Sequence, residues 1–535
     1  MYRRRRAVAI LGLLGVAVIV ALVAVLLSGS GAGSTGGSGG TGAPAAVIPA
    51  DALAYVDLDI DRRDPAVTQA LEVAARLPDA PLLAAAVTSR LGGVLGGGHT
   101  VDFSTDVSPW LGGHAALALL NTTSSTAGAL IIVSVADEAR ARAFLRSVGA
   151  TAHGSYRGRP LLAAPNGDEL AFARGDLVIG RDAAVRAAID VAAGATPSLA
   201  ASAVYRRAAA GHGGGAVLDA YASAAGVRRV LADQAGILGA AGALLSQPAL
   251  QGVAVALTPT PKGAAIRIHS ALDPTLEKGG SPAAAFTPSL PALMPAGSSL
   301  LVDVADLAQV APQVLNAGSA AGVAGGIGPL LARLGTALRS EGVNTSDLVS
   351  IFHHEAALAI VGGGQRPTLV VVTRTANPSR TQHELAQVQA PLARLFSAPG
   401  KNQRSEPVFN DRQIGGVTAH QLQLATGFQL DYAVFRGLVV ISTSLQGIQD
   451  VARQARPLSR NPAFAAVLGG GARQVTSLVF ANLATLVGAT QQSGLTAGSL
   501  GARLGPDLRR ITGIGETSTR GTADSTTRVT VAVSP

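Results

Sequence analysis

The chain has 535 residues, is 48% hydrophobic, carries a formal net charge of +9 and contains no cysteine. Without cysteine there are no disulfides, no thiol nucleophile, no Cys-ligated metal and no acylated lipoprotein anchor. A chain this long can bury large cores without such staples. Four of the positive charges are Arg3, Arg4, Arg5 and Arg6. Beyond them the excess is mild and spread out, carried by Arg, with Lys only at Lys262, Lys278 and Lys401. A nucleic-acid interface needs basic residues clustered on one face or along a helix, so a nucleic-acid partner is not expected.

The first element is the uncharged apolar stretch Ala7–Leu27, directly after the arginines. Its 21 residues, as a helix rising ~1.5 Å each, cover roughly 31 Å, close to the ~30 Å hydrocarbon core of a bilayer. The sequence therefore predicts a transmembrane helix over 7–27, with a cytoplasmic basic tail at 1–6 and the rest of the chain outside, because basic residues stay inside. A cleaved signal peptide is the competing reading, but its apolar region is normally about 7–15 residues. Residues 28–46 hold eight Gly and four Ser in nineteen positions, the composition of a flexible tether. Gly36–Gly40 fits G-x-S-x-G and Gly31–Gly36 fits G-x-G-x-x-G, yet both motifs need a strand–turn–helix context that a linker lacks.

The remainder reads as two copies of one unit. Ile48-Pro49-Ala50-Asp51 with Leu53–Asp57 recurs as Met294-Pro295-Ala296-Gly297 with Ser299–Asp303. Pro81–Ala84 recurs as Pro329–Ala332, and His114–Ala118 as Glu355–Ala359. Asp176–Ile179 recurs as Gly437–Val440. The common order and long period indicate duplicated domains rather than a solenoid. The expected division is a first domain at 47–275, a Pro-rich linker at 276–293 and a second domain at 294–535, each folding by itself.

Within each copy a first strand (Ala52–Asp59; Ser299–Val304) places Tyr55, Asp57 and Asp59 on one face. Asp64 and Pro65 open a helix, and another is expected from Pro81 to about Leu95. Strands are expected near His114–Leu120 and Ala129–Val135, and at Ala356–Val361 and Thr368–Thr373. Amphipathic helices follow at Ala136–Val148 and Asn377–Phe396, then at Asp182–Ala193 and Leu445–Ala455. Ala/Leu-rich helices are expected over Val217–Leu245 and Val479–Leu504. Each copy closes with strands: Gly252–Leu257 with Ala264–Leu272, and Ile511–Glu516 with Thr526–Val533. The expected class is α+β: two tandem domains with largely antiparallel sheets packed against helices.

The segments Pro49–Val56 and Trp110–Ala118, behind an anchor and a Gly/Ser linker, resemble an uncharacterised bacterial family, domain of unknown function 3352. The second copy keeps Met294-Pro295-Ala296 and Glu355–Ala359 but has Phe352-His353-His354 where Leu-Gly-Gly stands in the first. The resemblance implies an extracytoplasmic, membrane-tethered protein and no assigned activity.

Candidate chemistry is sparse. His353-His354-Glu355 is the densest group of potential metal ligands, but strand alternation would leave at most two on one face, and catalytic zinc takes about three protein ligands. A strand-entry set is the better reading. His212-Gly213-Gly214-Gly215 resembles an esterase oxyanion segment but lacks a nucleophile elbow, leaving a glycine-rich loop. Asp57, Asp59 and Asp61 could line a cation site, although Arg62 and Arg63 follow, and a solvated strand end is the simpler reading. Asn121 and Asn344 begin glycosylation sequons. No catalytic, cofactor-binding or metal residue is assigned and no cofactor is expected. The favoured function is a non-enzymatic scaffold, sensor or binding protein of the cell envelope, contacting the lipid bilayer through 7–27, with an envelope protein as the candidate partner. The alternative is a carrier of an apolar ligand or lipid, held in a cavity of each lobe.

Overall fold

The computed structural model describes residues 44–78, 101–121, 128–231, 248–276, 284–307, 351–362, 367–395, 408–425, 428–469, 474–486 and 509–535. The expected membrane segment, most of the Gly/Ser linker, the helix expected at 81–95 and Asn344 lie outside them.

In the first half, β1 (Ala54–Asp59) leads to α1 (Pro65–Ala74), β2 (Leu111–Leu119), β3 (Ala129–Val135) and α2 (Glu138–Ser147). Four short strands follow: β4 (Thr151–Tyr156), β5 (Arg159–Ala163), β6 (Glu169–Ala173) and β7 (Asp176–Gly180). Then come α3 (Asp182–Ala192), α4 (Ala203–Ala209), β8 (Leu218–Ser223), α5 (Ala224–Leu231) and the hairpin β9 (Leu250–Thr260)–β10 (Gly263–Leu272). The second half has β11 (Ser298–Val304), β12 (Ala356–Val361), β13 (Thr368–Arg374), α6 (Pro378–Leu395), β14 (Phe409–Ile414), β15 (Val417–Ala425), β16 (Phe428–Phe435) and β17 (Leu438–Ser442). It continues with α7 (Leu445–Arg453), α8 (Pro462–Leu468), β18 (Ser477–Ala481), β19 (Ile511–Arg520) and β20 (Asp524–Val533).

Helix starts follow the local chemistry. The Asp64 carboxylate accepts from the backbone N of Ala66 at 2.6 Å, and Pro65 occupies the first turn, where its missing N–H costs nothing. Asn461 caps α8 by accepting from Ala463 N, while its amide donates to the Ala296 carbonyl at 2.8 Å. Asn461→Ala removes both, so it should cost about 1–2 kcal/mol. Chemical denaturation checks this, and an unchanged midpoint would show that water replaces the cap without loss.

Every strand pairing is antiparallel. From one edge the order is β4-β5-β6-β7-β3-β2-β1-β8-β9-β10, which continues without a break into β20-β19-β18-β11-β12-β13-β17-β16-β15-β14. The second half thus repeats the strand order of the first in reverse across a seam. The seam pairs run from Gly263↔Ala532 to Ala271↔Asp524, and the central pair is Arg267↔Arg528. An approximate two-fold axis passes through these two arginines.

This corrects the expected fold class. In place of two α+β domains with separate sheets, the described chain is dominated by one 20-stranded antiparallel sheet, and the expected transmembrane helix lies outside the described residues. None of its described helices is long and apolar enough to cross a membrane. The physical reason is that β10 and β20, if left as edges, would each expose a row of unpaired backbone groups, and the two halves satisfy those rows against each other.

Two further expectations change. Val217–Leu245 and Val479–Leu504 do not begin as helices: β8 and β18 are strands inserted between β1 and β9 and between β11 and β19. Alanine favours helix locally, but a small side chain also fits a strand covered on both edges, and tertiary pairing overrides propensity. The outer ends of the expected linkers are also not free. Pro44–Ala46 form a short 3-10 turn with Ala45 buried. Phe286 bridges Val475, and Leu290 is fully buried in the second core.

Helices cover both faces of the sheet. Tyr55, Ala116 and Ile132 pack with Val185, Ala188 and Ile189 of α3 and Tyr205 and Ala208 of α4. On the other face Leu58 and Leu218 meet Val67 and Ala70 of α1, and Val133 meets Phe144 and Leu145 of α2. Trp110 is fully buried against Phe144, its indole N–H donating to the Asp106 carbonyl at 2.8 Å.

Candidate functional site

Strand alternation sets the site. Tyr55 points into the first core, and Asp57 and Asp59 follow on the same face toward the end of β1. Asp57 lies directly opposite Asp219 of β8 and Asp59 opposite His114 of β2. Two opposed carboxylates repel, and each is met by an imidazole. His114 Nδ1 is 3.4 Å from Asp57 Oδ2, and His212 Nδ1 is 2.6 Å from Asp219 Oδ1, neither with the alignment of a hydrogen bond.

Around these groups is a small pocket of about 60 Å³, lined by Asp57, Asp59, Asp64, His114, Asp219 and the loop Gly213–Val217. That is room for a few waters or a compact head group, well below the roughly 300 Å³ of a drug-sized ligand site. The Asp57 side chain is only 8% exposed, and its Oδ1 has no hydrogen-bond partner among the described residues. His212 is 2% exposed, and neither ring nitrogen has one. Buried polar groups ordinarily have partners, so such orphans call for an explanation.

Burial shapes the local electrostatics. Desolvation pushes Asp59 up to about 6, and it pushes nearby Asp176, at the start of β7, up to about 7. The Asp57 carboxylate beside it raises His114 above its ordinary value. Ser134 Oγ accepts from His114 N at 2.7 Å and donates to its carbonyl at 3.0 Å, fixing the backbone at this corner.

The structure joins two sequence candidates treated as separate, Asp57 with Asp59 and the His212–Gly215 loop. Asp61 is not part of the lining. It accepts from the Arg63 backbone N at 3.0 Å in the turn after β1. Asp219, His114 and Asp176 were missed. Reading 217–245 as a helix hid the fact that Asp219 faces Asp57 across a strand pair; the signal was the strand-like alternation of Leu218, Ala220 and Ala222 with Asp219 and Tyr221.

The His353-His354-Glu355 group lies at the entry to β12, as the strand-entry reading expects. It precedes β12, which begins at Ala356, so strand alternation does not govern it. His353 Nδ1 contacts Asp306 at 2.9 Å. Glu355 accepts from Leu290 N at 2.9 Å and from Arg374 Nε at 3.1 Å, and it is also held by Ser289. Against it lies Asp303, fully buried and pushed by burial up to about 8, with the Glu355 charge adding to the rise. Among the described residues no group of three or more His, Asp or Glu is arranged to hold a metal ion. Asn121 is exposed at the end of β2.

A second pocket, about 400 Å³ and open, lies beside the end of α3 and is lined by Arg174, Val191 and Gly194–Ser198 with Ala46.

The family model described as "Protein of unknown function (DUF3352)" matches residues 7–534. The chain belongs to this family. No curated protein matches it. Among solved structures, crystal form III of TP0453 is 9% identical, with a TM-score of 0.25, covering 45% of this chain and 83% of that one. Crystal form I of TP0453 is 10% identical, with a TM-score of 0.24, covering 45% and 82%.

Proposed function

We propose that this DUF3352 protein is a non-enzymatic binding protein of the cell envelope, tethered by Ala7–Leu27, whose binding site is the pocket at the end of β1. One observation carries this reading: the nine-tenths buried carboxylate of Asp57 is among the groups lining the pocket, and one of its oxygens has no hydrogen-bond partner among the described residues. A buried charged group held this way is costly unless something else completes it. The lining supplies carboxylates, an imidazole and glycine backbone but no hydroxyl or amine nucleophile, which supports binding over group transfer. The basic residues before the apolar stretch support an outward-facing pocket.

Two measurements test it. Full-length protein purified from its own membranes should carry a small molecule in native mass spectrometry, and the Asp57→Asn variant should lose it. Identical masses for both proteins, equal to the bare chain, would sink the reading. Protease added to intact cells should degrade the 44–535 region; if that region survives until lysis, the outward orientation is wrong.

A further inference from the structure

The seam between the halves holds two positive charges that the sheet does not balance. Arg267 of β10 lies directly opposite Arg528 of β20. Opposed side chains leave an antiparallel pair on the same face, and like charges so placed repel. Two positions along, His269 Nδ1 meets Thr526 Oγ1 at 2.8 Å, so this face is continuous across the seam. Arg267 is half-buried and Arg528 is exposed, which leaves the pair within reach of solvent. Among the described residues neither guanidinium has a hydrogen bond or an ion pair.

The described surroundings supply no acid. The next positions in the same row are Ala256 on β9 and Thr517 on β19. Along the strands the face continues with Ala265 and His269 beside Arg267, and with Thr526 and Thr530 beside Arg528. Two helices border it. Gly211, just after α4, lies so close that an added Cβ would be 3.1 Å from Arg267 Nε, and Leu468 of α8 packs over Gly515 of β19. Neither α4 nor α8 contains a carboxylate. In the same row Asp219 is two strands from Arg267, roughly 10 Å at the usual strand spacing, and it already lies 2.6 Å from His212. Asp524 is four positions along β20 from Arg528, about 13 Å away.

We propose that the seam binds a phosphate group, held on the approximate two-fold axis between Arg267 and Arg528. A phosphate dianion matches the two positive charges, and its oxygens can accept from the fork of each guanidinium at once. The hydroxyls of Thr517 and Thr530, on the same face, add neutral donors around it. The site is separate from the pocket at the end of β1 and does not depend on it. Each half contributes one arginine, so only the joined halves make the pair. A free phosphate ion and a lipid head group share this chemistry, and the test separates the two sources.

Full-length protein in non-ionic detergent is titrated calorimetrically with inorganic phosphate and, separately, with dihexanoyl phosphatidic acid. Sodium chloride at matched ionic strength is the blank. Saturable one-to-one binding is expected, weakened at least tenfold in Arg528→Gln and in Arg267→Gln, and the tighter of the two ligands identifies the source. Thermal melts confirm that each variant is folded. Arg528→Glu sets an acid opposite Arg267. That variant should lose phosphate binding and melt at a higher temperature than wild type in phosphate-free buffer. No heat above the salt blank with either ligand, or equal binding by wild type and both Gln variants, overturns the phosphate assignment. A melting temperature of Arg528→Glu at or below that of wild type overturns it as well, because it shows that the two arginines are already balanced within the protein.

Discussion

Residues 44–276 and 284–535, produced separately, should not behave as monomeric folded domains. Nine consecutive cross-strand positions join β10 to β20. At about 0.5–1.5 kcal/mol net for each ladder hydrogen bond, that seam contributes roughly 5–10 kcal/mol, comparable to the whole stability of a typical domain. Each isolated half would also present a ten-residue strand as a bare edge, a template for pairing with another chain. Gel filtration should show self-association or aggregation of each half alone, and a one-to-one complex when the two are co-expressed. The full chain offers an independent check at Gly263, whose φ is +153° and whose added Cβ would lie 2.0 Å from the Val531 carbonyl oxygen. Gly263→Val therefore forces that end of the seam apart, and its unfolding midpoint should fall steeply. Two monomeric halves with cooperative transitions, together with an unaffected Gly263→Val protein, would show that the seam is dispensable.

Asp303→Asn should make the protein more stable in mild alkali and leave it unchanged in acid. Asp303 is fully buried, and burial with the adjacent Glu355 charge raises its carboxyl to about 8. In the unfolded chain the same group ionises near 4. Folding therefore favours the protonated form. Its favourable contribution is complete below pH 4 and is lost progressively as pH rises toward 8, because the unfolded state gains by ionising while the folded state cannot. Four pH units of such a difference correspond to an upper bound on the order of 5 kcal/mol. Asparagine keeps the shape and a hydrogen-bond donor toward Glu355 but cannot ionise. Melting temperatures of wild type and variant should coincide at pH 4 and separate by pH 8, with the variant higher. Parallel curves across that range would mean that Asp303 is already ionised in the folded protein, with Arg374 as its counter-charge.

The sequence determined the elements whose causes are local. Asp64-Pro65, Asp137 and Asn377-Pro378 mark helix starts within a residue of where the helices begin. The alternating apolar stretches at Ala129–Val135 and Thr368–Thr373 became β3 and β13. The repeated order of Pro-Ala, Val-Asp and Ala-Leu-Ala segments indicated a duplication, and β1 and β11 occupy the same place in the strand order of their halves. The family resemblance, carried by Pro49–Val56 and Trp110–Ala118, agrees with the match over residues 7–534.

Tertiary structure alone decided how the halves join and where the acidic residues gather. An edge strand reads the same in sequence whether it faces solvent or another strand, so nothing in Ala264–Leu272 announced β20 as its neighbour. Likewise Asp57 and Asp219 are 162 positions apart in sequence, and their opposition exists only because β8 inserts beside β1. Val217–Ser223 holds only two alanines among Val, Leu, Asp, Tyr and Ser, and hydrogen bonding to strands on both sides fixes it as a strand. Arg267 and Arg528 are visible in the sequence as two unrelated residues. Only the register of β10 against β20 makes them a pair, because pairing partners are fixed by the sheet and not by distance along the chain.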